Sequence, residues 1–307
     1  MRITAKQVGK KAVRIADSIV NLSVLVIILL LVAIACYAMW DANLVYTAAD
    51  AKQYDLYKPT VEDTTTFEEL RAINPEVFSW LTVYGTHIDY PVTQSTDNLK
   101  YVNTSAKGAY SLSGAIFLDS HNSSDYTDFN SVLYGHHMEK QAMFGELDRF
   151  SQQDFFEQHP YGNLFYDGQD HGLEFFAFVH TDAYDTDIFQ SAIMGEAPQQ
   201  TYLEILLAKA IHTRDIGVSL QDRIVILTTC SSETTNGRDI LAARITDTVY
   251  EDTFQTKAMD DEHQSVDAQP GFFAQAPLWL LIAVPVILLI LLIIVITIHV
   301  KRKRKGQ

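Results

Sequence analysis

Two long apolar stretches without a charged residue, 19–40 and 276–299, constrain this chain more than any other feature of its sequence. A helix that crosses the hydrocarbon core of a bilayer needs about 20 consecutive apolar residues. Both stretches reach that length, so we predict two transmembrane helices. A chain of 307 residues then has room for one folded domain of ordinary size between them.

Basic residues flank both stretches on their outer sides. Five lysines and arginines lie within residues 1–18, and five more lie within residues 300–307. Because basic flanks are retained in the cytoplasm, both ends of the chain are predicted to be cytoplasmic. We therefore expect a two-pass protein of the cell membrane whose folded domain is extracellular.

The first apolar stretch has two other interpretations. A cleaved signal peptide has an apolar region of about 7–15 residues, which is shorter than the stretch 19–40. A lipoprotein signal would end at Cys36, but Ala33-Ile34-Ala35 lacks the large aliphatic residue that such a site prefers. An uncleaved anchor, with Cys36 inside the membrane, agrees better with the sequence.

The part of the chain between the two stretches is strongly acidic. Leaving out the basic flanks and Asp17, it contains 13 lysine and arginine residues against 37 aspartate and glutamate residues, a net charge of −24. Nucleic-acid binding depends on cationic side chains that neutralise phosphates, so no nucleic-acid partner is expected. We interpret the acidic surface as a solvated one that keeps an exported domain soluble.

The exported region has three parts. Residues 41–80 are predicted to form a helical region, because apolar residues recur there at three- and four-residue intervals. Residues 81–250 contain short β-branched and aromatic runs between turn residues, which indicates a mainly β domain of the barrel or sandwich type. Within this domain one helix is predicted at 201–212. Residues 251–275 are polar and acidic, which is typical of a linker.

Cys230 is the one cysteine between the two apolar stretches, so no disulfide bond can form within that region. It ends the run 224–230, which has the pattern of a buried strand. A thiol attacks an acyl group as the thiolate, and an ordinary cysteine with a pKa of about 8.5 is only slightly ionised at neutral pH. A nucleophilic Cys230 therefore needs a neighbouring proton acceptor. The alternative is a buried cysteine with no chemical task.

His136 follows the predicted strand 131–134 and is a candidate for that proton acceptor. His137 is adjacent to it, and neighbouring residues of a strand point to opposite faces. Spacing alone leaves the choice between the two histidines open. None of the histidines has metal-ligand spacing to carboxylates or cysteines, so no metal site is predicted.

Arg238 is a candidate for stabilising the charge that develops during acyl transfer. Such a reaction needs a cationic or hydrogen-bonding group for the oxyanion, and Arg238 begins the predicted strand that follows Cys230. Arg223 and Arg244 are competing candidates, which spacing does not exclude.

Several segments within residues 67–250 together resemble the sortase family of cysteine transpeptidases, and class B sortases in particular. The segment Leu227-Thr228-Thr229-Cys230 is similar to the family signature TLxTC around the catalytic cysteine, with Ile226 in place of its first threonine. The other similar segments are 73–80, 85–92, 97–103, 113–119, 133–138 and 238–245.

The resemblance implies a mainly β fold, a closed eight-stranded sortase-type β-barrel with N-terminal helices and an inserted helix, flanked here by two transmembrane helices. It implies Cys230 as the nucleophile, His136 rather than His137 as the acid and base, and Arg238 as the oxyanion-stabilising residue. Residues that match groove-lining positions of the family are Thr228, Thr229 and Asn98. These three also have ordinary structural interpretations, because threonine suits strands and an Asp-Asn pair suits a turn.

The resemblance also implies a reaction. Cys230 would cleave the C-terminal sorting signal of another exported protein and form a thioacyl enzyme. An amine of a lipid-linked peptidoglycan precursor would then take the acyl group, which attaches the surface protein to a Gram-positive cell wall. Neither a metal nor an organic cofactor is implied.

Three alternatives stay open from the sequence. A second membrane helix is more familiar in class C sortases, which polymerise pilins with a lysine amine as acceptor, although their Asp-Pro-aromatic lid motif is absent from this sequence. A cysteine peptidase that transfers the acyl group to water would use the same three residues. A catalytically inactive, membrane-tethered binding module would keep the barrel without the chemistry.

Overall fold

The computed structural model describes residues 5–60, 63–230 and 236–254. These residues fall into two units, of which one contains the chain up to Leu44 and the other, which carries the sheet, begins at Val45. The expected second membrane helix at 276–299 and the cytoplasmic tail lie outside the described residues. The expected linker at 251–275 also lies outside them, apart from its first four residues.

Helix α1 (Ala5–Ala49) contains the first apolar stretch. Its apolar side chains are exposed, with Leu31 61% and Ile34 63% accessible. Among the described residues, one helical segment, Val13–Tyr57, is long and apolar enough to cross a membrane. A signal sequence near the N-terminus also passes this test of length and composition, so the structure establishes one candidate apolar helix.

The described residues form one sheet. Its strands are β1 (Val77–Val83), β2 (Asp89–Thr93), β3 (Ile116–Leu118), β4 (Asn130–Tyr134), β5 (Tyr161–Tyr166), β6 (Gln169–Asp182), β7 (Ala210–Thr213), β8 (Arg223–Cys230) and β9 (Gly237–Thr246). Eight strands close into a barrel in the order β1-β2-β3-β4-β8-β9-β6-β5, because β5 pairs with both β1 and β6. The expected closed eight-stranded β-barrel is therefore confirmed. The ninth strand, β7, pairs with the half of β6 that β5 does not reach.

Three α-helices follow α1 in the described part of the chain. The inserted helix, expected at 201–212, is α4 (Glu196–Lys209), which begins five residues earlier and ends at Lys209. Residues 210–212 belong to β7, because alternate side chains of that segment are partly buried while its backbone pairs with β6. Strand β1 begins at Val77, so the barrel starts four residues before the expected boundary at 81. The other helices are α2 (Thr65–Ile73), α3 (Gln153–Gln158), α4 (Glu196–Lys209) and short 3-10 helices at Ala51–Tyr57, Lys100–Val102 and Leu147–Ser151.

The sheet separates two apolar clusters. Strand β8 contributes to both, because its side chains alternate between the faces of the sheet. Val225 and Leu227 pack inside the barrel, whereas Ile224 and Ile226 pack on the outer face beneath α4. A strand buried on both faces reads as a continuous apolar run, which is why 224–227 contains no polar residue.

Two neighbouring leucines of α4 test how this helix is attached. Leu206 is fully buried, whereas Leu207 is 41% exposed. We expect Leu206→Ala to lower the free energy of unfolding by about 3 kcal/mol, because it removes buried methyl groups and leaves a cavity. That loss corresponds to a fall in melting temperature of roughly 9 °C, which thermal unfolding of the solubilised protein measures. Leu207→Ala is the matched control, and equal shifts for the two variants would contradict the packing described here.

Candidate active site

The parallel pairing of β4 with β8 brings the ends of these two strands together. Tyr134 is the register partner of Thr228, and the Gly135 amide donates a hydrogen bond to the Thr228 carbonyl, with N and O 3.2 Å apart. His136 lies two residues beyond the end of β4, and Cys230 is the last residue of β8. The two residues therefore lie at the same end of the barrel.

Strand β9 lies on the other side of β8. It runs antiparallel to β8, and Arg238 is the register partner of Cys230. Cys230 thus ends the middle one of three adjacent strands, with Arg238 opposite it on β9 and the end of β4 on its other side. The backbone pairs Cys230 with Arg238, and His136 follows the neighbouring strand by two residues.

Positions 230 and 238 belong to one face of the sheet. Residues that are two apart on a strand share a face. Ile226 and Ile240 pack in the cluster beneath α4, which marks the outer face of β8 and β9. Positions 230 and 238 are an even number of residues away from them. Groups on one face of adjacent strands can act on the same carbonyl group.

The His136 ring is partly exposed and is held by a backbone carbonyl. Its Nε2 lies 2.8 Å from the carbonyl oxygen of Val102, the last residue of a short 3-10 helix. A carbonyl oxygen accepts hydrogen bonds and does not donate them, so Nε2 carries a proton and donates it to Val102. In the neutral ring, Nδ1 is then the nitrogen that can take up a proton.

The neighbouring His137 is placed differently. Its Nδ1 is buried and has no hydrogen-bond partner among the described residues. Its backbone forms a bridge with Met143 in the loop after β4. The adjacent histidines, between which spacing did not decide, are both half-buried but have different hydrogen-bond surroundings.

Of the three candidate arginines, Arg238 is the one at this end of the barrel. Its side chain is partly buried, and Nη1 donates to the Gly237 carbonyl at 3.0 Å. Arg244 lies six residues further along β9, where Nε donates to Glu174 at 2.7 Å. Arg223 begins β8 and donates to the Tyr166 hydroxyl at 2.7 Å. Both competing arginines are thus engaged at the opposite end of these strands.

Thr228 and Thr229 lie on opposite faces of β8. Both side chains are buried, at 2% and 3% exposure, and neither hydroxyl has a hydrogen-bond partner among the described residues. Thr228 shares the outer face with Ile226, and it is two residues from Cys230. Thr229 shares the inner face with Leu227. Only Thr228 of this pair is therefore on the same face as position 230.

Both the nitrogen and the oxygen of the Asn98 side-chain amide form hydrogen bonds. Its Nδ2 donates to a carboxylate oxygen of Asp119 at 2.8 Å, and its Oδ1 accepts from the Ser120 amide at 2.8 Å. Asp119 also accepts from the Tyr134 hydroxyl at 3.1 Å. Since Tyr134 ends β4 two residues before His136, Asn98 is joined to the site through Asp119.

Asp119 is a buried residue that spacing did not identify, although it ends the 113–119 segment and directly follows a buried strand. Its side chain is 6% exposed. Burial by itself would raise the pKa of this carboxyl group, but hydrogen bonds from His121, Asn98 and Ser191 outweigh burial and lower the pKa below its usual value. The carboxylate therefore stays ionised and ties three loops to the end of β4.

A second histidine–carboxylate pair lies near the same end of the barrel. His180 Nδ1 is 2.8 Å from a carboxylate oxygen of Asp239, whose side chain is 5% exposed. Asp239 is the register partner of Thr229 and follows Arg238, so it belongs to the inner face of the sheet. In the part of the chain that the structure describes, no cluster of three or more His, Cys, Asp or Glu residues is arranged to hold a metal ion.

The comparison with known proteins gives relatives of one kind. No family model matches the chain. Sortase B of Listeria monocytogenes is 32% identical over 197 residues, which are 63% of this chain and 76% of that protein.

Two solved streptococcal structures also match. Sortase B from the type II pilus of Streptococcus pneumoniae is 47% identical, with a TM-score of 0.53 over 59% of this chain and 99% of that one. A Streptococcus pyogenes class B sortase involved in pilus biogenesis is 39% identical, with a TM-score of 0.54 over 59% of this chain and 98% of that one.

The likeness agrees with the closed eight-stranded sheet. It extends over three quarters of the Listeria protein at more than 30% identity. The chain belongs to the sortase family, within class B, and is a cysteine transpeptidase.

Proposed function

We propose that this transpeptidase uses Cys230 to cleave the C-terminal sorting signal of an exported protein and then transfers the acyl group to an amine. The observation that carries this proposal is the strand register, which pairs Cys230 with Arg238 and sets the end of β4, two residues before His136, beside β8. Family membership supports the reaction type, and the register supports the choice of residues.

In the first half of the reaction, the Cys230 thiol gives its proton to Nδ1 of His136, and the thiolate attacks the carbonyl carbon of the scissile peptide bond. A carbon–sulfur bond forms, and the carbonyl oxygen becomes an oxyanion. The carbon–nitrogen bond then breaks, and His136 returns the proton to the leaving nitrogen. The products are a thioester on Cys230 and the released tail of the signal.

In the second half, an amine attacks the thioester carbonyl while His136 removes a proton from its nitrogen. The new carbon–nitrogen bond forms, the carbon–sulfur bond breaks, and the sulfur leaves as the thiolate. The hydrogen bond from Nε2 to the Val102 carbonyl supports this assignment, because it keeps Nδ1 as the nitrogen that exchanges protons in both halves.

Arg238 is assigned to the oxyanion of both tetrahedral intermediates. Its guanidinium group has five N–H donors and stays charged at every physiological pH. One donor is used by the Gly237 carbonyl. A fixed cation beside the developing negative charge stabilises the transition state more than the neutral ground state, which is the condition for catalysis.

The groove residues receive different roles. Thr228 is assigned to the groove wall, because it shares the outer face with position 230. Asn98 is assigned to the opposite wall, where its contact with Asp119 holds it in place. Thr229 is assigned a supporting role behind the strand, since its side chain faces the barrel interior.

The acceptor amine is proposed to be the lysine side chain of a pilin subunit. Both streptococcal sortases that match at 47% and 39% identity are described as pilus proteins, whereas identity to the Listeria sortase B is 32%. The amine of a lipid-linked peptidoglycan precursor is the second candidate acceptor. The fold and the site residues are compatible with either amine.

The apolar part of α1 is proposed to anchor the enzyme in the cell membrane, with the barrel on the extracellular side. The basic flanks and the second apolar stretch at 276–299 support a two-pass arrangement. Such tethering would keep the barrel beside newly exported substrates that carry sorting signals.

The central experiment is mass spectrometry of the full-length protein in detergent, incubated with a panel of sorting-signal peptides. We expect a peptide adduct on Cys230 that is absent from the Cys230→Ala variant, and transfer of the acyl group to an added amine. Adding an Nα-blocked lysine in parallel with a glycine peptide compares the two acceptor classes, and preferred transfer to lysine would support pilus assembly. Release to water alone would indicate a peptidase, and no adduct with any peptide would indicate an inactive binding module.

Adjacent histidines provide a matched test of the proton acceptor. We expect His136→Ala to lower the rate of thioester formation by about 10²–10⁴-fold, which is the usual contribution of a positioned acid or base. His137→Ala is expected to keep most of the turnover, because its ring nitrogen Nδ1 is buried. Stopped-time peptide cleavage assays measure both rates, and a larger loss for His137→Ala would reverse the assignment.

A second matched pair tests the oxyanion assignment. Arg238→Gln is expected to lower kcat by about 10²–10³-fold with little change in KM, because the lost interaction is made mainly in the transition state. Arg244→Gln removes an arginine from the same strand and breaks its ion pair with Glu174 at the far end. It should affect thermal stability and leave kcat almost unchanged, and a comparable loss of kcat in both variants would argue against a specific role for Arg238.

A further inference from the structure

The loop that follows His136 folds back, so that its last residues contact its first ones. We call residues 137–144 the histidine loop. The amide of Phe144 donates to the carbonyl of His136 at 3.0 Å, and the backbones of His137 and Met143 form a bridge. The conformation of the histidine loop therefore determines where the backbone of His136 lies.

The histidine loop has an unfavourable backbone conformation. Lys140, Gln141 and Met143 have φ angles of 59°, 62° and 54°. This left-handed region disfavours residues that carry a Cβ, and three such residues within four positions are unusual. Strained backbone persists where the surrounding structure holds it. Contacts outside the loop must therefore stabilise this conformation.

The last turn of α1 supplies contacts to the tip of the histidine loop. The Tyr46 hydroxyl donates to a carboxylate oxygen of Glu139 at 3.1 Å. The ammonium group of Lys140 lies 4.3 Å from the centre of the Tyr46 ring, which is a cation–π distance. Lys140 is also a cation beside the C-terminal end of a helix, where the helix dipole favours positive charge.

A buried hydroxyl joins α1 to the returning half of the same loop. Tyr90 of β2 is 2% exposed. Its hydroxyl donates to the carbonyl of Ala49, the last residue of α1, at 2.8 Å. The same oxygen accepts from the amide of Met143 at 2.9 Å. One side chain thus bridges the end of α1 and a strained residue of the histidine loop.

We infer that Tyr90 and the last turn of α1 position His136 through the histidine loop, so that they act as positioning residues for the thiol–imidazole pair. The inference rests on the proposed function, because it assumes that His136 serves Cys230. Tyr90 and Tyr46 do not touch the reacting atoms. They hold the loop whose closing hydrogen bond, from Phe144 to His136, fixes the backbone beneath the ring.

The test measures alkylation of Cys230 by iodoacetamide in the full-length protein, which requires no knowledge of the sorting signal. The Cys36→Ser background leaves Cys230 as the one thiol of the chain. The rate is measured at neutral pH, where it depends on the fraction of thiolate that the histidine maintains, and in alkaline buffer, where the thiol is ionised without help. His136→Ala gives the reference for complete loss of the histidine.

We expect Tyr90→Phe to slow alkylation at neutral pH by about fivefold, which corresponds to the loss of one buried hydrogen bond. Its rate in alkaline buffer should equal that of the parent protein. Tyr84→Phe is the matched control, because the Tyr84 hydroxyl also donates to a backbone carbonyl, that of Tyr250 at 3.0 Å, away from the histidine loop. A purely structural effect of losing a tyrosine hydroxyl would appear in both variants.

The outcomes separate the inference from the function on which it rests. The positioning role is supported if Tyr90→Phe is alkylated more slowly than Tyr84→Phe at neutral pH and the two variants are alkylated at equal rates in alkaline buffer. If His136→Ala slows alkylation but Tyr90→Phe behaves like Tyr84→Phe, the inference is wrong and the proposed function stands. If His136→Ala has no effect, the thiol–imidazole pair itself is refuted.

A second variant, Tyr46→Ala, tests the positioning role if Tyr90→Phe does not fold. Tyr46→Ala removes both contacts to the tip of the histidine loop from a partly exposed position and leaves the barrel core unchanged. We expect it to slow alkylation at neutral pH by about twofold, since exposed contacts contribute less than buried ones. A neutral rate equal to that of the parent protein would overturn the inference.

Discussion

The parallel pairing between β4 and β8 determines where the chemistry of this protein is located. Each of the two strands is paired on both sides within the closed sheet, and the residues of β8 from Ile224 to Leu227 are fully buried. A shift of the register by one residue would exchange Val225 and Leu227 with Ile224 and Ile226 and would disturb the close packing of both apolar clusters. The relative position of the ends of β4 and β8 is therefore set by core packing, and β9 places Arg238 opposite Cys230.

Local patterns in the sequence were sufficient for a mainly β domain of the barrel or sandwich type and for the inserted helix, whereas the closed barrel was implied by the resemblance. They did not show β5, in which Gly162 and Asn163 interrupt the apolar pattern, or β7, which is only four residues long. They also placed the start of α4 five residues late, because the first turn of that helix is mostly exposed and carries no apolar stripe. Boundaries that depend on pairing with distant segments have no local signal.

The candidate site, too, could be predicted only in part from the sequence. Strand alternation indicated that one of two adjacent histidines could meet Cys230, but the choice needed either a resemblance or a structure. Alternation also separates Thr228 from Thr229, once the face of β8 that carries position 230 is known. The Val102 carbonyl could not have been predicted, since a backbone group carries no signature in the sequence. Asp119 stood within a segment that resembles the family, yet its hydrogen bonds to three loops depend on tertiary packing.

Closure of the sheet also affects how the protein meets its neighbours. A strand at the edge of an open sheet presents unpaired amide and carbonyl groups, which recruit strands of other molecules and lead to aggregation. In the described part of the chain, β5 and β6 remove this edge by pairing with each other, and β7 ends the sheet with only four residues. The barrel therefore exposes few unpaired backbone groups. An extended segment of another protein finds little sheet edge to which it could add as a further strand.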